Sequence, residues 1–544
     1  MRLLVIGGVA AGASAAARAR RMDDNAEIVV FEKGDYVSFA NCGLPYYVGG
    51  DIPDRDDLLL VSPELFRDRF HIDVRLRHLV TTIHRDRKTV TVQAGGEVFE
   101  EAYDKLILAP GCVPVIPRIP GVMKQRVHTV FTISDVDSIM SCLQGGVSRA
   151  LVVGGGFIGL ETAEALLHRG IPTTLVELQT QLMPIFDPEF SRPMEAHLRA
   201  AGLDLRMGVS VTEFLGEAAV SGAALSDGTV LDADLVIMAA GLRPQTELAE
   251  AAGLELGSSG GIVTDRFMQT GDPDIYAAGD AVESFHRVSG SPIRVSLANN
   301  ANRQGRIAGN NAVGGALVYP GTLATSIIRI ADLTAARTGL SEADAKAAGL
   351  NYYSVFVPAD SSAGYYPGAG WLILKITAEE GTGRLLGAQC VGEKGVDKRI
   401  DVLAAAIYAG LKVTDLENLD LAYAPPYSSA KGPEIMGGMI ASNVLRGEEK
   451  VVTPGELDAL LAETGAELLD VRTPGEWEGG TIPGARCITM DALRADPEQL
   501  EKDRPYVVCC GVGKRAHNVC RFLMQKGYDV YNLTGGWNAY QMDV

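Results

Sequence analysis

The segment "RALVVGGGFIGLETAEALLHRG", residues 149–170, decides the fold of the domain around it. Its apolar start predicts a buried strand, its glycines a tight turn, and its alanine- and leucine-rich end a helix. Gly154, Gly156 and Gly159 follow the spacing G-x-G-x-x-G, which brings backbone close to a pyrophosphate at a helix N-terminus. Strand, turn and helix together predict a dinucleotide-binding unit.

A carboxylate at the end of the next strand indicates which nucleotide this unit binds. Glu177 ends the strand "TTLVEL" (173–178), where it can accept hydrogen bonds from ribose hydroxyls. Its charge would repel the 2′-phosphate of NADP, and Leu178 and Gln179 supply no compensating arginine. We therefore predict NADH. The residues expected to line its site are Gly154, Gly156, Phe157, Ile158, Gly159, Glu161, Glu177 and Gly241.

A second copy of the pattern opens the chain. A strand in "RLLVIGG" (2–8), a helix in "AAGASAAARARRM" (10–22) and a strand in "EIVVFEK" (27–33) repeat the order. Val9 replaces the middle glycine, while Glu32 again stands at the ribose position. Taken alone, the segment also fits a strand-to-helix turn that holds no nucleotide.

Three further segments favour a nucleotide in this first unit, and a flavin in particular. They are "LILAPG" (106–111), "VIMAAG" (236–241) and "IYAAGDAVE" (275–283). Asp280 follows a strand and a glycine, where it can hydrogen-bond the sugar-alcohol chain of a flavin. The residues expected to hold FAD are Gly7, Gly8, Val9, Ala10, Gly12, Glu32, Lys33, Ala109, Gly111, Gly279 and Asp280.

Length, charge and cysteine content limit the remaining possibilities. A chain of 544 residues predicts three or four domains, and a net charge of −19 argues against a nucleic-acid partner. Eight cysteines are too few for a disulfide framework, which favours a reducing cytoplasm. The start "MRLLVIGGVAAGASAAA" (1–17) also resembles a signal peptide, but the strand–helix–strand unit that it opens argues against cleavage. We predict neither a membrane span nor a metal site.

One cysteine stands alone in the segment "SFANCGLPYY" (38–47). Cys42 has no second cysteine among residues 43–47 with which to form a redox pair. A buried structural thiol is the ordinary interpretation of a lone cysteine. Its place after the first strand–helix–strand unit of a flavin domain instead favours a reactive thiol.

The C-terminal segment carries a second candidate thiol. Cys510 heads the loop "CGVGKR" (510–515), which follows the strand "YVVCC" (506–510) and opens a helix. Backbone N–H groups and the helix N-terminus there favour a thiolate and a bound persulfide, and Arg515 is expected to close the loop. Strand alternation points Cys509 into the core, and we expect Cys487 and Cys520 to be buried packing residues.

These motifs resemble a known family over nearly the whole chain. Residues 1 to about 445 resemble the flavoprotein disulfide reductases, and "GGVAAG" (7–12), "SFANCG" (38–43) and "YAPPYSSAK" (423–431) are typical of their coenzyme A-disulfide reductase branch. The segments "ELLDVRTPGEWEGGTIPGA" (467–485) and "LTGGWNAY" (533–540) resemble a rhodanese domain, with Thr481 where rhodaneses usually carry histidine. The combination is similar to the NADH-dependent persulfide reductases.

This resemblance implies an α/β chain of four domains. Two are Rossmann-like dinucleotide-binding domains, the third is an α+β dimerisation domain, and the last is an α/β rhodanese domain. The implied limits are 1–113 with 243–321 for the FAD domain, 114–242 for the NADH domain, 322–446 for the dimerisation domain, 447–452 for a linker and 453–544 for the rhodanese domain.

The resemblance also implies the catalytic groups. Cys42 would rest in a mixed disulfide with coenzyme A, so that the substrate supplies the second sulfur. Tyr423 and Tyr365, in preference to the neighbouring Tyr427 and Tyr366, would be donated across a homodimer interface to the departing thiolate. Buried tyrosines that only pack at that interface are the alternative.

Coenzyme A recognition is expected from polar residues near Cys42. Arg18 and Arg21 lie three positions apart on one helix face, which suits phosphates but also suits an ordinary solvated surface. The candidates are Ser14, Arg18, Arg21, Ser38, Asn41, Asn299, Asn300 and Lys431.

The expected activity is NADH-driven reduction of coenzyme A persulfide, polysulfide or coenzyme A disulfide, with release of hydrogen sulfide. The rhodanese domain would relay sulfane sulfur from low-molecular-weight persulfides. One alternative is an NADH peroxidase or oxidase that cycles Cys42 through sulfenic acid. That branch uses a histidine in the first glycine turn, and this chain has no histidine before His71. The other alternative makes the rhodanese domain a docking or sensing module.

Overall fold

The structure, a computed structural model, describes residues 1–543 and divides into two compact units. The first unit comprises Met1–Thr180 and Arg199–Thr322. The second comprises Gln181–Leu198 and the chain from Leu323 onward. Gln181–Leu198 therefore belongs to the second unit although it lies within the predicted domain 114–242. The predicted domain limits stay predictions.

A five-stranded parallel sheet organises the start of the first unit. Arg2–Ile6 pairs in parallel with Glu27–Glu32 on one side and with Lys105–Leu108 on the other. Leu3 and Leu4 are fully buried, as expected for a parallel sheet covered on both faces. In spatial order the strands are Ile275–Ala277, Lys105–Leu108, Arg2–Ile6, Glu27–Glu32 and Ile72–Leu76. The helices Ala10–Met22 and Ala298–Ala312 pack against each other beside it.

A second five-stranded parallel sheet repeats this plan within the same unit. Ala150–Val153 pairs in parallel with Thr173–Glu177 and with Leu235–Met238, and the helix Phe157–His168 connects the first two strands. The strands in spatial order are Asp204–Met207, Thr173–Glu177, Ala150–Val153, Leu235–Met238 and Val127–His128. The helix Ile133–Gln144 follows the edge strand in the chain.

Small sheets and short helices complete the first unit. The three-stranded sheets contain Leu79–His84, Thr89–Ala94 and Glu97–Ala102, and Val211–Leu215, Gly222–Leu225 and Val230–Asp232. The two-stranded pairs are Cys112–Pro114 with Leu242–Pro244, and Ser284–Phe285 with Pro292–Ile293. The remaining helices are Asn41–Gly43 and Arg55–Leu58, both 3-10, and Leu44–Gly49, Pro63–Phe70 and Glu247–Ala251.

The second unit contains an antiparallel sheet with helices. Its strands in spatial order are Ser326–Ile330, Leu333–Gly339, Leu385–Gly392, Trp371–Glu379 and Tyr352–Asp360. The helices are Pro188–Ala200, most of which lies in this unit, Glu342–Ala347, Val396–Ala409, Val413–Leu416 and Pro433–Leu445. Val396–Ala409 packs on two of the central strands through buried residues such as Leu403.

A parallel sheet ends the chain in the same unit. Its order is Val451–Val452, Val530–Leu533, Tyr506–Cys509, Glu467–Asp470 and Arg486–Cys487, so the first strand lies in the segment predicted to be a linker. The helices are Leu457–Thr464, Pro474–Trp477, Met490–Ala495, Lys514–Met524 and Gly536–Asp543, with 3-10 turns Pro454–Glu456 and Pro497–Gln499.

These two sheets of the second unit meet at an edge strand. The backbone N–H of Phe356, in the outer strand Tyr352–Asp360, donates to Thr534 Oγ1 over 2.9 Å. The bond supplies a partner to a strand that would otherwise present an open edge.

Within residues 1–543, no helix combines the length and the apolar character needed to cross a membrane.

Candidate active site

The two predicted dinucleotide turns have the same backbone geometry. A Cβ on Gly12 would lie 1.8 Å from the carbonyl oxygen of Gly7, and a Cβ on Gly159 would lie 1.9 Å from that of Gly154. Neither position can carry a side chain, because the helix begins directly against the preceding turn. Both turns thus leave the N-terminus of a helix open to a ligand, as the glycine spacing predicts.

The middle position of the turns shows why valine is compatible with the first copy. A Cβ on Gly156 would meet no atom within 4 Å. Val9 stands at the corresponding position, as the residue that precedes the helix Ala10–Met22. The side chain therefore causes no clash within the protein and can affect only a bound ligand.

A carboxylate supports each turn from the end of the neighbouring strand. Glu32 accepts the N–H of Gly8 over 2.8 Å and that of Gly34 over 2.7 Å. Glu177 accepts the N–H of Gly155 over 2.6 Å and that of Gln179 over 2.7 Å. The two copies hold their acids alike, and these acids stand where the sequence predicts the ribose partners.

The other predicted flavin residues gather at the carboxyl ends of the first parallel sheet. Ala109 and Gly111 follow the strand Lys105–Leu108, and Gly279 and Asp280 follow the strand Ile275–Ala277. Open ends of adjacent parallel strands are the usual place for a ligand in such folds. Lys33 follows the strand Glu27–Glu32 of the same sheet and donates to Gln245, which in turn donates to the Pro110 carbonyl. Of the residues predicted for NADH, Glu161 accepts the Tyr46 hydroxyl, and Gly241 follows the strand Leu235–Met238 of the second sheet.

Asp280 has a thiol neighbour that sequence reasoning overlooked. The Cys112 thiol donates to Asp280 Oδ2 over 3.3 Å. Burial raises the pKa of Asp280, and burial together with the Asp280 charge raises the pKa of Cys112 to about 12. Cys112 is therefore a neutral hydrogen-bond donor at neutral pH. Its position directly after "LILAPG" is the signal that could have revealed it.

Cys42 is exposed on the 3-10 turn Asn41–Gly43, and all eight cysteines of the chain are free. The protein removes part of the water around its sulfur, and the carboxylates of Glu161 and Asp280 add negative charge. Both effects raise the pKa of the Cys42 thiol. Charges from the helix of the second nucleotide unit and from the flavin segment thus both act on the reactive candidate.

The candidates for coenzyme A on the first helix have partners on the helix Ala298–Ala312. Ser14 donates to Asn302 Oδ1 over 2.6 Å, and Arg18 Nη2 donates to Asn310 Oδ1 over 2.8 Å. Arg21 stays exposed. Arg303 and Arg306, also exposed on the second helix, add two cations that sequence reasoning did not consider.

The remaining coenzyme A candidates differ in accessibility. Ser38 is half-buried with a φ of 49°, and Asn41 donates to the Phe131 carbonyl over 2.7 Å. Asn300 is 2% exposed and accepts the Tyr319 hydroxyl, whereas Asn299 and Lys431 are exposed. Lys431 lies in the second unit, and the other candidates lie in the first.

The structure brings the two predicted tyrosines together within the second unit. Tyr365 is 77% exposed and Tyr423 is 50% exposed. The neighbouring Tyr423 phenol is the main cause that raises the pKa of Tyr365. Tyr366 and Tyr427 are exposed as well. The phenols are therefore accessible, and they are not packed within the unit.

The second thiol lies inside its domain. Cys510 directly follows the strand Tyr506–Cys509 and is fully buried. Its sulfur accepts the backbone N–H of Ala516 over 3.4 Å, in the first turn of the helix Lys514–Met524. Gly513 makes the turn possible with a φ of 87°, in the left-handed region that favours glycine. The loop thus directs a helix N-terminus at the sulfur.

Arg515 takes part in an ion pair that the sequence did not reveal. Its two guanidinium nitrogens donate to the two carboxylate oxygens of Glu476 over 2.7 and 2.6 Å. This pairing raises the pKa of Arg515 and lowers that of Glu476. The Cys510 sulfur contributes to the raised pKa of Arg515 as well, to a smaller extent than Glu476 does. Glu476 belongs to "PGEWEGG" (474–480), where its carboxylate also accepts the backbone N–H of Thr473.

The other cysteines of the last domain have different environments. Cys509 and Cys520 are buried in its core, in agreement with the predictions. The prediction for Cys487 is wrong because this residue is exposed. It belongs to the two-residue edge strand Arg486–Cys487, which leaves its side chain in solvent.

A cluster of three carboxylates in the second unit already holds a cation from the protein. The Lys375 ammonium, 1% exposed, lies 2.8 Å from Asp187, 2.5 Å from Glu189 and 2.9 Å from Glu342. Burial raises the pKa of Glu189, and the three carboxylates raise that of Lys375. The lysine occupies the centre that a metal ion would need.

Comparison with known families accounts for almost the entire chain. The family model described as pyridine nucleotide-disulphide oxidoreductase matches residues 1–305, its dimerisation domain matches residues 325–433, and a rhodanese-like domain matches residues 453–543. The chain belongs to the pyridine nucleotide-disulphide oxidoreductase family. The predicted family, fold class, and use of FAD and NADH are thereby confirmed.

Solved structures and curated relatives place the chain within this family. Reduced CoADR-RHD from Bacillus anthracis has a TM-score of 0.97 and 41% identity over 100% of this chain and 98% of its own. An NAD-dependent persulfide reductase from A. fulgidus has a TM-score of 0.92 and 39% identity over 99% of this chain and 100% of its own. The coenzyme A disulfide reductase of Staphylococcus epidermidis is 34% identical over 79% of this chain and 97% of its own.

Proposed function

We propose that the protein uses NADH and FAD to reduce coenzyme A persulfide, polysulfide or coenzyme A disulfide through one cysteine, Cys42. The observation that carries the proposal is the position of this exposed thiol. Glu161, from the helix of the second nucleotide turn, and Asp280, from the flavin segment, both act on its pKa. A free thiol at this junction suits a substrate that supplies the second sulfur.

The two turns fit nucleotides in the same way. Glu32 and Glu177 hold their loops by paired backbone hydrogen bonds and leave helix N-termini open to pyrophosphates. FAD, when bound, supplies the two electrons that cleave a disulfide, after it accepts them from NADH as a hydride. Asp280, with its raised pKa and its thiol donor Cys112, is the residue placed to hold the flavin sugar-alcohol chain.

Cys42 then carries out the sulfur chemistry. Its thiolate attacks the sulfur bonded to carbon in coenzyme A persulfide, forms Cys42–S–S–CoA and expels HS⁻. Two electrons reduce this bond and release coenzyme A and the Cys42 thiolate. With coenzyme A disulfide as substrate, coenzyme A leaves in place of HS⁻. The names of the similar persulfide and coenzyme A disulfide reductases support these substrates.

The tyrosines protonate or hydrogen-bond the departing thiolate. Tyr365 and Tyr423 are exposed in one chain and neighbour each other, as suits phenols that serve a partner's site. The matched dimerisation domain supports a homodimer. We propose that each chain of this homodimer lends the pair to Cys42 of its partner.

The rhodanese domain supplies sulfur to this centre. Cys510 takes the outer sulfur of a low-molecular-weight persulfide, releases the donor thiol, and passes the sulfur to coenzyme A. The N–H of Ala516 and the Arg515 guanidinium stabilise the anionic sulfur. Ser14, Arg18, Arg21, Ser38, Asn41, Asn299, Asn300 and Lys431 remain the proposed contacts to coenzyme A.

Intact-mass spectrometry tests the central step. Protein purified without reductant should carry coenzyme A on Cys42, and dithiothreitol should remove that mass. The Cys42→Ser variant should lack it, whereas Cys487→Ser, which alters another exposed cysteine, should retain it. An unmodified Cys42 in repeated preparations would refute the mixed disulfide. A stable sulfenic acid would favour the peroxidase alternative.

A further inference from the structure

The loops that carry Tyr365 and Tyr423 share a common base. Ser361 and Gly370 close the first loop, with the Ser361 N–H donating to the Gly370 carbonyl over 2.8 Å. The N–H of Ala363 donates to the Pro425 carbonyl over 3.0 Å and joins this loop to the second. The two phenols therefore project from backbones that are bonded to each other.

A buried ion pair lies at this base. Arg399, on the helix Val396–Ala409, is fully buried, and its Nη2 donates to the Ser361 carbonyl over 3.0 Å. Its Nη1 lies 3.6 Å from Glu434 Oε1. Glu434 is 1% exposed, in the first turn of the helix Pro433–Leu445 that follows the Tyr423 loop. The pair thus connects the root of one loop to the end of the other.

The hydrogen bonding of this pair is incomplete. Arg399 Nε and Nη1 and Glu434 Oε1 have no hydrogen-bond partner within residues 1–543. Burial of two charges with so few hydrogen bonds costs more than apolar side chains of the same size would. The pair therefore contributes little net stability, and what it does supply is a defined geometry.

The space around Glu434 is equally restrictive. A Cβ on Gly432 would lie 2.9 Å from Glu434 Oε2 and 3.3 Å from the Ser428 hydroxyl. Ser428, Glu434 and Lys398 line the cleft beside Tyr423. The Lys398 ammonium donates to the Tyr427 carbonyl over 3.4 Å. The carboxylate thus lies close to Gly432, in the segment that leads from the Tyr423 loop into the helix Pro433–Leu445.

We propose that Arg399 and Glu434 are positioning residues that keep the Tyr365 loop and the Tyr423 loop in their mutual arrangement. The inference rests on the proposed role of the two phenols. Arg399 acts through the Ser361 carbonyl, and Glu434 acts through the end of the Tyr423 loop. Neither side chain is accessible to a substrate, because both are buried.

A double-mutant cycle with the tyrosines tests this inference. The kcat for coenzyme A disulfide is measured in full-length, FAD-loaded Arg399→Lys and Glu434→Gln, each in the wild-type and in the Tyr365→Phe/Tyr423→Phe background. Lysine keeps the charge but loses the planar fork, and glutamine keeps the shape but loses the charge. We expect roughly a tenfold fall in kcat with little change in KM in the wild-type background, as for slightly misplaced catalytic groups. In the phenylalanine background we expect no further fall.

Two more variants separate positioning from folding. Arg399→Met/Glu434→Met removes both charges together, and it should unfold at a temperature no lower than the wild type while its kcat falls as in the single variants. Arg446→Lys, at the other end of the helix Pro433–Leu445 in an exposed pair with Glu417, should keep the wild-type kcat.

The outcomes distinguish the inference from the proposed function. If Arg399→Lys lowers kcat by the same factor in both backgrounds, the positioning role is refuted and the role of the phenols stands. If Tyr365→Phe/Tyr423→Phe keeps the wild-type kcat, the role of the phenols is refuted and the inference with it.

Discussion

The two candidate thiols of this protein occupy opposite environments. Cys42 is exposed on a three-residue 3-10 turn, and partial loss of water around its sulfur together with nearby carboxylates raises its pKa. Cys510 is fully buried, and its sulfur accepts a backbone N–H from the first turn of a helix. One thiol thus has surroundings that oppose its thiolate, whereas the other has a hydrogen-bond donor supplied by its own loop.

The proposed function assigns different chemistry to the two sites. Electrons would reach Cys42, on whose pKa Glu161 of the second nucleotide unit and Asp280 of the flavin segment both act. Cys510 would move sulfur without reducing it.

Exchange of each thiol for serine produces the largest expected effect. Cys42→Ser should lower NADH-driven turnover of coenzyme A persulfide by about 10³-fold or more, because the reaction loses its nucleophile. Cys510→Ser should leave that turnover intact, since this substrate reaches Cys42 directly. Bulky or polymeric donors should need both thiols, with added coenzyme A as carrier. The measurements are NADH loss and sulfide release under anaerobic conditions.

Controls make this experiment decisive. Both variants should keep the FAD content of the wild type, and Cys487→Ser should behave as the wild type with every donor. Unchanged turnover of all donors in Cys510→Ser would eliminate the sulfur relay and leave the rhodanese domain as a docking module.

A substitution that changes the nucleotide preference should affect only the NADH-driven reaction at Cys42. Glu177→Arg should shift the kcat/KM ratio of NADH to NADPH towards NADPH by about 10- to 100-fold, the effect of one charge-assisted hydrogen bond. Sulfur transfer from Cys510 to cyanide should not change, because it needs no electrons. Glu213→Arg, an exposed substitution in the same unit, is the control. Equal kcat/KM for both nucleotides in the wild type would contradict the ribose role of Glu177.

A substitution of Arg515, in the Cys510 loop, should affect only sulfur transfer by Cys510. Arg515→Lys loses the two-pronged pair with Glu476 and should slow sulfur transfer roughly tenfold, with unchanged reduction of coenzyme A persulfide. The measurement is thiosulfate:cyanide turnover beside NADH oxidation. Arg504→Lys, in an exposed pair of the same domain, should have no effect. A loss in both assays would show that the variant disturbs more than the loop.

A shift in pH dependence is the smallest expected effect. The Glu161 carboxylate helps to raise the pKa of Cys42, so Glu161→Gln should lower that pKa. Because the thiolate is the reactive form, alkylation of reduced, coenzyme A-free Cys42 should then begin at lower pH. Glu164→Gln, one turn along the same helix, is the matched control. A profile that does not move, or moves to higher pH, would contradict the electrostatic account of this thiol.

Local signals explain why much of the fold could be predicted. Each nucleotide unit contains a glycine turn, apolar strands and a terminal acid. Within one unit these parts lie within about 30 residues of one another, as in any unit of this kind. The loop of Cys510 is likewise a strand, a short turn and a helix in immediate succession. Such patterns depend on the steric demands of neighbouring residues, and sequence displays them directly.

Other features of the sites depend on contacts between distant residues. Cys112 meets Asp280 across 168 positions, and Arg515 meets Glu476 across 39. The exposure of Cys487 follows from the edge position of its short strand, which the order of the sheet decides. No spacing in the sequence encodes these partners.

The sequence by itself determined the two nucleotide units, the candidate thiols and the family, because backbone geometry there requires particular residues at fixed short intervals. Only the tertiary structure decided how each thiol is surrounded. It exposed Cys42 to the charges of Glu161 and Asp280 and buried Cys510 behind a helix N-terminus. It also joined the Tyr365 loop to the Tyr423 loop and to Arg399, which pairs with Glu434. The physical reason is that charge, burial and hydrogen bonding at a side chain are set by whichever distant segments fold against it.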